Sequence, residues 1–210
     1  MLRTAALSLA ETPATELEDE ALQLTFCIQQ QRQKDHDMTS IILIGHSFGG
    51  LVVKRALAMG QQTLDTVSFL PSVIGVIFVG TPHQGSKLAS FTLPMSRLFR
   101  LPGAFLSRLS VGSKYLVQLD KAFQKFLETS TVSFVSFYEL KPTKYGLVWL
   151  SIPIFTAPES TTRISGGKRM GMNSSHSYMV KYASRDDPNY QQMLQAIREL
   201  AQQQLGTSTD

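Results

Sequence analysis

The chain has 210 residues, of which 43% are hydrophobic and 17% are charged. This balance is typical of a single globular domain with a sizeable core and argues against disorder. The net charge of +4 is too small to indicate a nucleic-acid partner. The one cysteine, Cys27, excludes an internal disulfide and a cysteine-based metal site, and it favours a reducing, cytoplasmic compartment. We also predict no metal and no cofactor.

The amino-terminal 39 residues predict one helix and no strand. Residues 15–18 match a capping box, and apolar residues then recur at helical spacing at Leu17, Ala21, Leu24 and Ile28. Residues 29–37 are polar and predict a solvated loop. No apolar run reaches the roughly 18 residues of a membrane-spanning helix, so we predict no membrane span.

The next stretch predicts a nucleophile elbow. It reads as a buried strand, a sharp turn and a helix, over residues 41–44, 45–50 and 51–59. Ser47 lies at the apex of a G-x-S-x-G pattern, whose outer glycines, Gly45 and Gly49, allow the strand and the helix to approach closely. The amide of Phe48 is then directed to the place where an oxyanion would form. The alternative is a glycine-rich turn around an inert serine.

Strands and helices alternate after the elbow. Two more strands are predicted over residues 73–80 and 132–139, and between them Ser113 caps a helix. Residues 87–113 mix apolar and basic side chains, which predicts either a candidate lid or an ordinary amphipathic insertion with a solvated basic face.

The carboxy-terminal third offers weaker patterns. Residues 141–146 predict a loop, residues 147–156 an edge strand limited by Pro153, and residues 159–175 show no periodicity. A final helix begins at Asp187 and Pro188, with a predicted buried stripe at Tyr190, Leu194, Ile197, Ala201 and Leu205.

Together these elements predict a single α/β domain over residues 1–210, with its core at 15–205 and a mostly parallel sheet covered by helices on both faces. In such sheets the site lies beyond the carboxyl ends of the strands. Ser47, His83 and Glu139 each lie at or just past the end of a predicted strand, so the fold would gather them at one edge.

A serine hydroxyl becomes a nucleophile when a histidine takes its proton and a carboxylate orients that histidine. His36 lies in a polar loop, and His46 occupies the variable position of the motif with its side chain directed away from the hydroxyl. In the α/β-hydrolase order of serine, acid and histidine, His176 fits the base and His83 comes too early. We predict His46 and His83 to be structural residues near the site.

Several acids precede or follow His176. Glu139 ends the third predicted strand, where the acid of this fold is expected, and is the favoured partner. One alternative is that Glu139 only ends the strand and pairs with Lys141. Glu159 is the other candidate for the acid. Asp186 and Asp187 follow the histidine and are typical of helix capping.

Several ordered segments resemble the fungal serine esterase- and lipase-like α/β-hydrolases. They are GHSFGG at 45–50, FVGTPHQGS at 78–86, SFYE at 136–139, PES at 158–160, SH at 175–176 and SRDDPNY at 184–190. The resemblance covers residues 15–200 and extends to the serine active site-containing proteins, more distantly to GPI inositol-deacylases, and to the amino-terminal module of fungal NOD-like receptors.

The resemblance implies Ser47 as nucleophile, Glu139 as acid and His176 as base. Two features depart from the family pattern. An Asp-rich stretch usually precedes the late histidine, whereas residues 173–175 read Asn-Ser-Ser, and residues 1–39 lack the family's first strand with its His-Gly loop, which supplies a second oxyanion amide. We therefore expect a sheet that lacks its first strands. The chain is then either truncated at its amino terminus, as a fragment or an alternative product of a longer protein, or a degenerate copy.

Two functional hypotheses follow. The first is a serine hydrolase that cleaves carboxylic esters, including lipid esters, through an acyl-enzyme. The second is a catalytically impaired hydrolase-like signalling or interaction module from a longer protein. The basic segment from Lys87 to Lys125 predicts weak contact with anionic membrane surfaces, and the resemblance adds mitochondrial or endoplasmic-reticulum association as an alternative location.

Overall fold

The structure is a computed structural model that describes residues 17–35, 40–60, 69–84, 112–145, 152–154, 159, 162, 164 and 166–206. His36 and nearly all of the candidate lid, residues 87–111, lie outside the described residues. The same is true of the first two positions of the capping box.

A four-stranded parallel sheet forms the centre of the described fold. Its strands lie in the order β1 (Ile41–His46), β2 (Val73–Val79), β3 (Ser133–Glu139) and β6 (Lys168–Met172). Their carboxyl ends are aligned, because His46 pairs with Val79, Val79 with Phe137, and Glu139 with Met172. Residues that follow these strands are therefore brought to one edge of the sheet.

Among the described residues, four helices cover the sheet: α1 (Leu17–Asp35), α2 (Phe48–Gly60), α3 (Lys114–Thr129) and α4 (Pro188–Gly206). One face of the sheet, represented by Val76 and Phe78, packs against α1, α2 and α3. The opposite face, represented by Ile77 and Val79, packs against α4. This alternation along β2 explains its uninterrupted apolar sequence and confirms the predicted α/β fold.

Local signals at two helix starts are confirmed. Ser113 caps α3 by accepting a hydrogen bond at its side-chain oxygen from the Leu116 amide at 3.2 Å. Asp187 caps α4, because its Oδ1 accepts from the amide of Asn189 at 2.8 Å.

Three predictions for irregular structure are wrong. Residues 29–35 continue helix α1, since glutamine, arginine and lysine are good helix formers. Residues 143–145 form strand β4 (Thr143–Tyr145), which pairs antiparallel with β5 (Ile152–Ile154), the described part of the predicted edge strand. Residues 159–175 contain β6, whose first residues are exposed and charged because β6 pairs only with β3 among the described strands.

The predicted stripe of α4 is also displaced. The buried residues are Met193, Ala196 and Leu200, whereas Leu194 and Ile197 are only partly buried. Helix α4 packs closely over β2, where a Cβ at Gly75 would lie 2.9 Å from Leu200 Cδ1. The missing side chain of Gly75 thus leaves room for Leu200 on the buried face of the helix.

None of the described helices is long and apolar enough to cross a membrane. Within the same described ranges, no group of three or more His, Cys, Asp or Glu side chains is arranged to hold a metal ion.

Candidate active site

Ser47 is the single residue between the end of β1 and the start of α2. Its φ of 55° is the only positive value of a non-glycine residue in the described part of the chain. The turn is held by main-chain hydrogen bonds, from the Ser47 amide to the Val79 carbonyl at 2.8 Å and from the Gly50 amide to the Ser47 carbonyl at 3.2 Å. A strained backbone fixed in this way is typical of functional serines.

The elbow requires small residues at different positions from those that the sequence predicts. A Cβ at Gly45 would lie 2.5 Å from Gly50 Cα, so the requirement for a small residue there agrees with the prediction. Among the described residues, a Cβ at Gly49 would meet nothing within 4 Å, so the prediction for that position is wrong. The crowded position is Gly50, where a Cβ would lie 2.7 Å from Thr81 Cγ2 and 2.8 Å from Thr81 Cβ.

His176 begins a short 3-10 turn (His176–Tyr178) that follows β6. Its Nε2 lies 2.8 Å from the Ser47 hydroxyl oxygen, although the two residues are 129 positions apart in the sequence. Burial, with a smaller contribution from the charge of His46, lowers the pKa of His176 to about 3. The ring is therefore neutral near pH 7, and for the hydroxyl to donate, Nε2 must be the nitrogen without a proton.

The His176 ring packs closely against Gly80, at the end of β2. Gly80 has a φ of 58°, and a Cβ there would lie 3.0 Å from Nδ1 of His176. Only glycine takes this backbone conformation easily, so Gly80 is the residue that leaves room for the imidazole.

The side chain of Glu139, at the end of β3, contacts the main chain of His176. Its Oε2 accepts a hydrogen bond from the His176 amide at 2.9 Å, and the carboxylate is buried. Nδ1 of His176 is buried and has no hydrogen-bond partner in the described part of the chain. Glu159, the alternative acid, lies elsewhere, because it is exposed and pairs with Arg169 at 3.0 Å.

His46 lies against His176. Its Nε2 is 3.1 Å from the His176 carbonyl oxygen, and the two ring centroids are 5.1 Å apart. Phe48, whose amide was predicted to bind an oxyanion, is the first residue of α2. It thus stands at the positive end of the helix dipole.

His83 lies in the tight turn after β2, where its amide donates to the Thr81 carbonyl at 3.0 Å. Its buried ring packs edge-on against Phe78 at 4.6 Å, and neither ring nitrogen has a hydrogen-bond partner among the described residues. Burial, with a smaller contribution from the charge of Lys54, holds its pKa well below 6.5.

Sequence reasoning missed Lys54 and Thr81. Lys54 is fully buried in α2, with its Nζ 2.6 Å from Asp120 Oδ1 and 5.5 Å from the centre of the Phe123 ring. The signal was a single lysine inside an otherwise apolar helical face. Thr81 packs its side chain on Gly50 and donates from Oγ1 to the Gly45 carbonyl at 3.4 Å, which fixes the β2 turn against the elbow.

A parallel sheet flanked by helices, with a strained serine turn between a strand and a helix, is the architecture of an α/β hydrolase. The chain belongs to the family of the PGAP1-like alpha/beta domain, whose model matches residues 11–128. This match includes Ser47 and ends before Glu139 and His176.

Named relatives are similar to the chain in sequence, and solved structures are similar to it in fold. The chain is 28% identical to human protein SERAC1 over 159 residues, which cover 76% of this chain and 24% of that protein, and 25% identical to the Danio rerio protein over the same length. The chain thus spans about a quarter of the length of these relatives.

Its fold is similar to that of Bacillus licheniformis lipase BlEst2 in mature form (TM-score 0.55, 16% identity, 76% of this chain and 67% of that one). It is also similar to phospholipase PlaB from Legionella pneumophila in complex with thio-NAD (TM-score 0.55, 14% identity, 95% and 53%).

Proposed function

We propose that this domain is a serine hydrolase that cleaves carboxylic esters through an acyl-enzyme. The observation that carries the proposal is the 2.8 Å contact between the Ser47 hydroxyl oxygen and His176 Nε2. This distance lies within hydrogen-bond reach, which is the first requirement for a general base that activates a nucleophile.

The reaction has two halves. Ser47 Oγ attacks the acyl carbon while its proton passes to His176 Nε2, and the bond from the acyl carbon to the alcohol oxygen then breaks as His176 returns the proton to the alcohol. Water attacks the acyl-enzyme, gives its proton to His176, and the carboxylic acid leaves as Ser47 regains its proton. The Phe48 amide stabilises the oxyanion in each half.

Glu139 acts on the base through its position and its charge. Its hydrogen bond to the His176 amide orients the residue, and its buried carboxylate stabilises the imidazolium that forms in each half of the reaction. Nδ1 of His176 does not donate a hydrogen bond to this carboxylate in the structure, and catalytic hydrogen bonds of this kind often tighten only when substrate is bound.

Lipid esters are the substrate class that we propose. The support is the naming of the structural neighbours, one a lipase and one a phospholipase. Weak contact of the basic segment with anionic membranes stays a prediction. Most of that segment lies outside the described residues, although Lys114, Lys121 and Lys125 are exposed on α3.

The test is hydrolysis of p-nitrophenyl esters of increasing acyl length by the wild type, by Ser47→Ala and by Ser136→Ala. Ser136 is an equally buried serine of β3 that donates to the Thr162 carbonyl at 3.4 Å, so it is a matched control. We expect Ser47→Ala to lose at least about a thousandfold in kcat and Ser136→Ala to lose less than about threefold. A folded wild type with no esterase activity on any chain length would overturn the proposal.

A second candidate, a hydrolase-like module without turnover, is favoured by one observation: Nδ1 of His176 has no acceptor among the described residues. Without a carboxylate at Nδ1 the imidazolium is poorly stabilised, and catalysis suffers. The same assay separates the two candidates, because activity that depends on Ser47 rules out the module without turnover.

A further inference from the structure

His46 contacts the proposed base at a main-chain atom. Its Nε2 lies 3.1 Å from the His176 carbonyl oxygen. A carbonyl oxygen only accepts hydrogen bonds, so Nε2 of His46 carries the proton and donates it. The same carbonyl accepts a longer bond of 3.4 Å from the Met179 amide within the turn.

His176 is therefore held from two sides. On one side, Glu139 Oε2 accepts from its amide at 2.9 Å, and on the other, His46 donates to its carbonyl. Glu139 ends β3 and His46 ends β1, so the two contacts attach the turn that carries His176 to two different strands of the sheet.

The contact of His46 with His176 matters for the site because His46 is next to Ser47 in the chain. His46 directly precedes Ser47, whose conformation is fixed by its own main-chain hydrogen bonds. A hydrogen bond from His46 to His176 thus connects the nucleophile to the base through one peptide unit and one side chain. Reactions of this kind lose about a hundredfold when a catalytic group is displaced by about 1 Å.

We propose that His46 is a positioning residue that holds His176 in register with Ser47. This inference rests on the proposed ester hydrolysis for its kinetic consequence, but its geometric content is independent of turnover. It also assigns a role to the variable position of the G-x-S-x-G motif, which the motif itself leaves open.

The test compares His46→Leu with His46→Gln. Both variants remove the titrating ring and any charge it carries, but only the glutamine amide can donate to the His176 carbonyl. We expect His46→Leu to lose about tenfold to a hundredfold in kcat, with KM within about threefold of wild type, and His46→Gln to recover most of the loss. Equal kcat in the two variants would overturn the inference. If His46→Leu does not fold, His46→Asn, whose amide is too short to reach the carbonyl, replaces it.

A second readout does not require activity. The pKa of His176 is measured by NMR of histidine labelled with ¹³C at Cε1, with the signal assigned from His176→Gln. A base that has lost its tether becomes hydrated, so its pKa rises toward 6.5 in His46→Leu and stays low in His46→Gln. This difference in protein without esterase activity overturns the proposed function and supports the positioning role. Esterase activity in the wild type, with the same His176 pKa in the two variants, supports the proposed function and overturns the positioning role.

Discussion

The two halves of the candidate site are built in different ways. The nucleophile half is contiguous in sequence, from β1 through Ser47 to α2, and main-chain geometry fixes it. The other half consists of Glu139 and His176, which are 37 positions apart and meet because β3 and β6 are neighbours in the sheet. Side-chain hydrogen bonds hold this second half together.

This difference has a physical consequence. The elbow depends on close backbone packing, so added volume should damage it more than a change in polarity. The histidine half depends on a few polar contacts, so it should be sensitive to the loss of one charge or one donor and should tolerate modest changes in volume. The following predictions test this contrast.

The largest effect is expected at the acid. Glu139→Gln keeps the shape of the side chain and removes the charge that stabilises the imidazolium, so we expect kcat to fall by about a hundredfold or more. Glu159→Gln is the matched control and should stay within about twofold of wild type, because Glu159 is exposed and pairs with Arg169. Steady-state kinetics at pH 7.5 provide the measurement. A greater loss in Glu159→Gln would identify Glu159 as the acid and remove Glu139 from the site.

The pH dependence of kcat/KM tests the environment of the base. A base is lost as the pH falls through its pKa, and the pKa of His176 is lowered to about 3 by burial and by His46. We therefore expect kcat/KM to stay nearly constant from pH 8 to pH 5, whereas a histidine with an ordinary pKa would lose about thirtyfold over this range. An inflection near pH 6.5 would mean that His176 is hydrated in the working enzyme.

The elbow is tested by a pair of adjacent glycines. Gly50→Ala places a methyl group against the buried side chain of Thr81, and we expect the free energy of unfolding to fall by about 1 to 3 kcal/mol. Gly49→Ala meets no described atom within 4 Å and lies in a helix, so it should leave stability unchanged or raise it by up to about 1 kcal/mol. Urea denaturation of both variants measures the difference. Equal destabilisation would show that the elbow does not depend on the contact with Thr81.

The smallest effect is expected at His83. Its pKa is held well below 6.5 in the folded chain, so the unfolded chain binds more protons as the pH falls below 6.5, and stability decreases in that window. His83→Leu removes the group that takes up this proton in the unfolded chain, so the unfolding free energy should fall less steeply between pH 7 and pH 5. The slope should decrease by at most about 1.4 kcal/mol per pH unit. Some slope remains, because His176 is also held neutral. An unchanged slope would show that His83 is not a buried neutral ring.

The sequence patterns predict the elbow, the helix caps and the α/β class, because each arises from residues close together in the chain. They miss β6, because this strand pairs only with β3 among the described strands and begins with an exposed lysine and arginine that resemble a loop. Leu200 on the buried face of α4 packs against Gly75 of a distant strand, and the crowding at Gly50 comes from Thr81. Such contacts between distant segments are set by packing, which one sequence does not display.

The central claim is that Ser47 is activated by His176, and reaction with a fluorophosphonate tests it most directly. Intact mass and peptide mapping of the labelled chain report both the number and the position of adducts. We predict one adduct per chain on Ser47, none in Ser47→Ala and a rate at least about a hundredfold lower in His176→Gln. A folded wild type that stays unlabelled, or an adduct on a serine other than Ser47, would contradict the account.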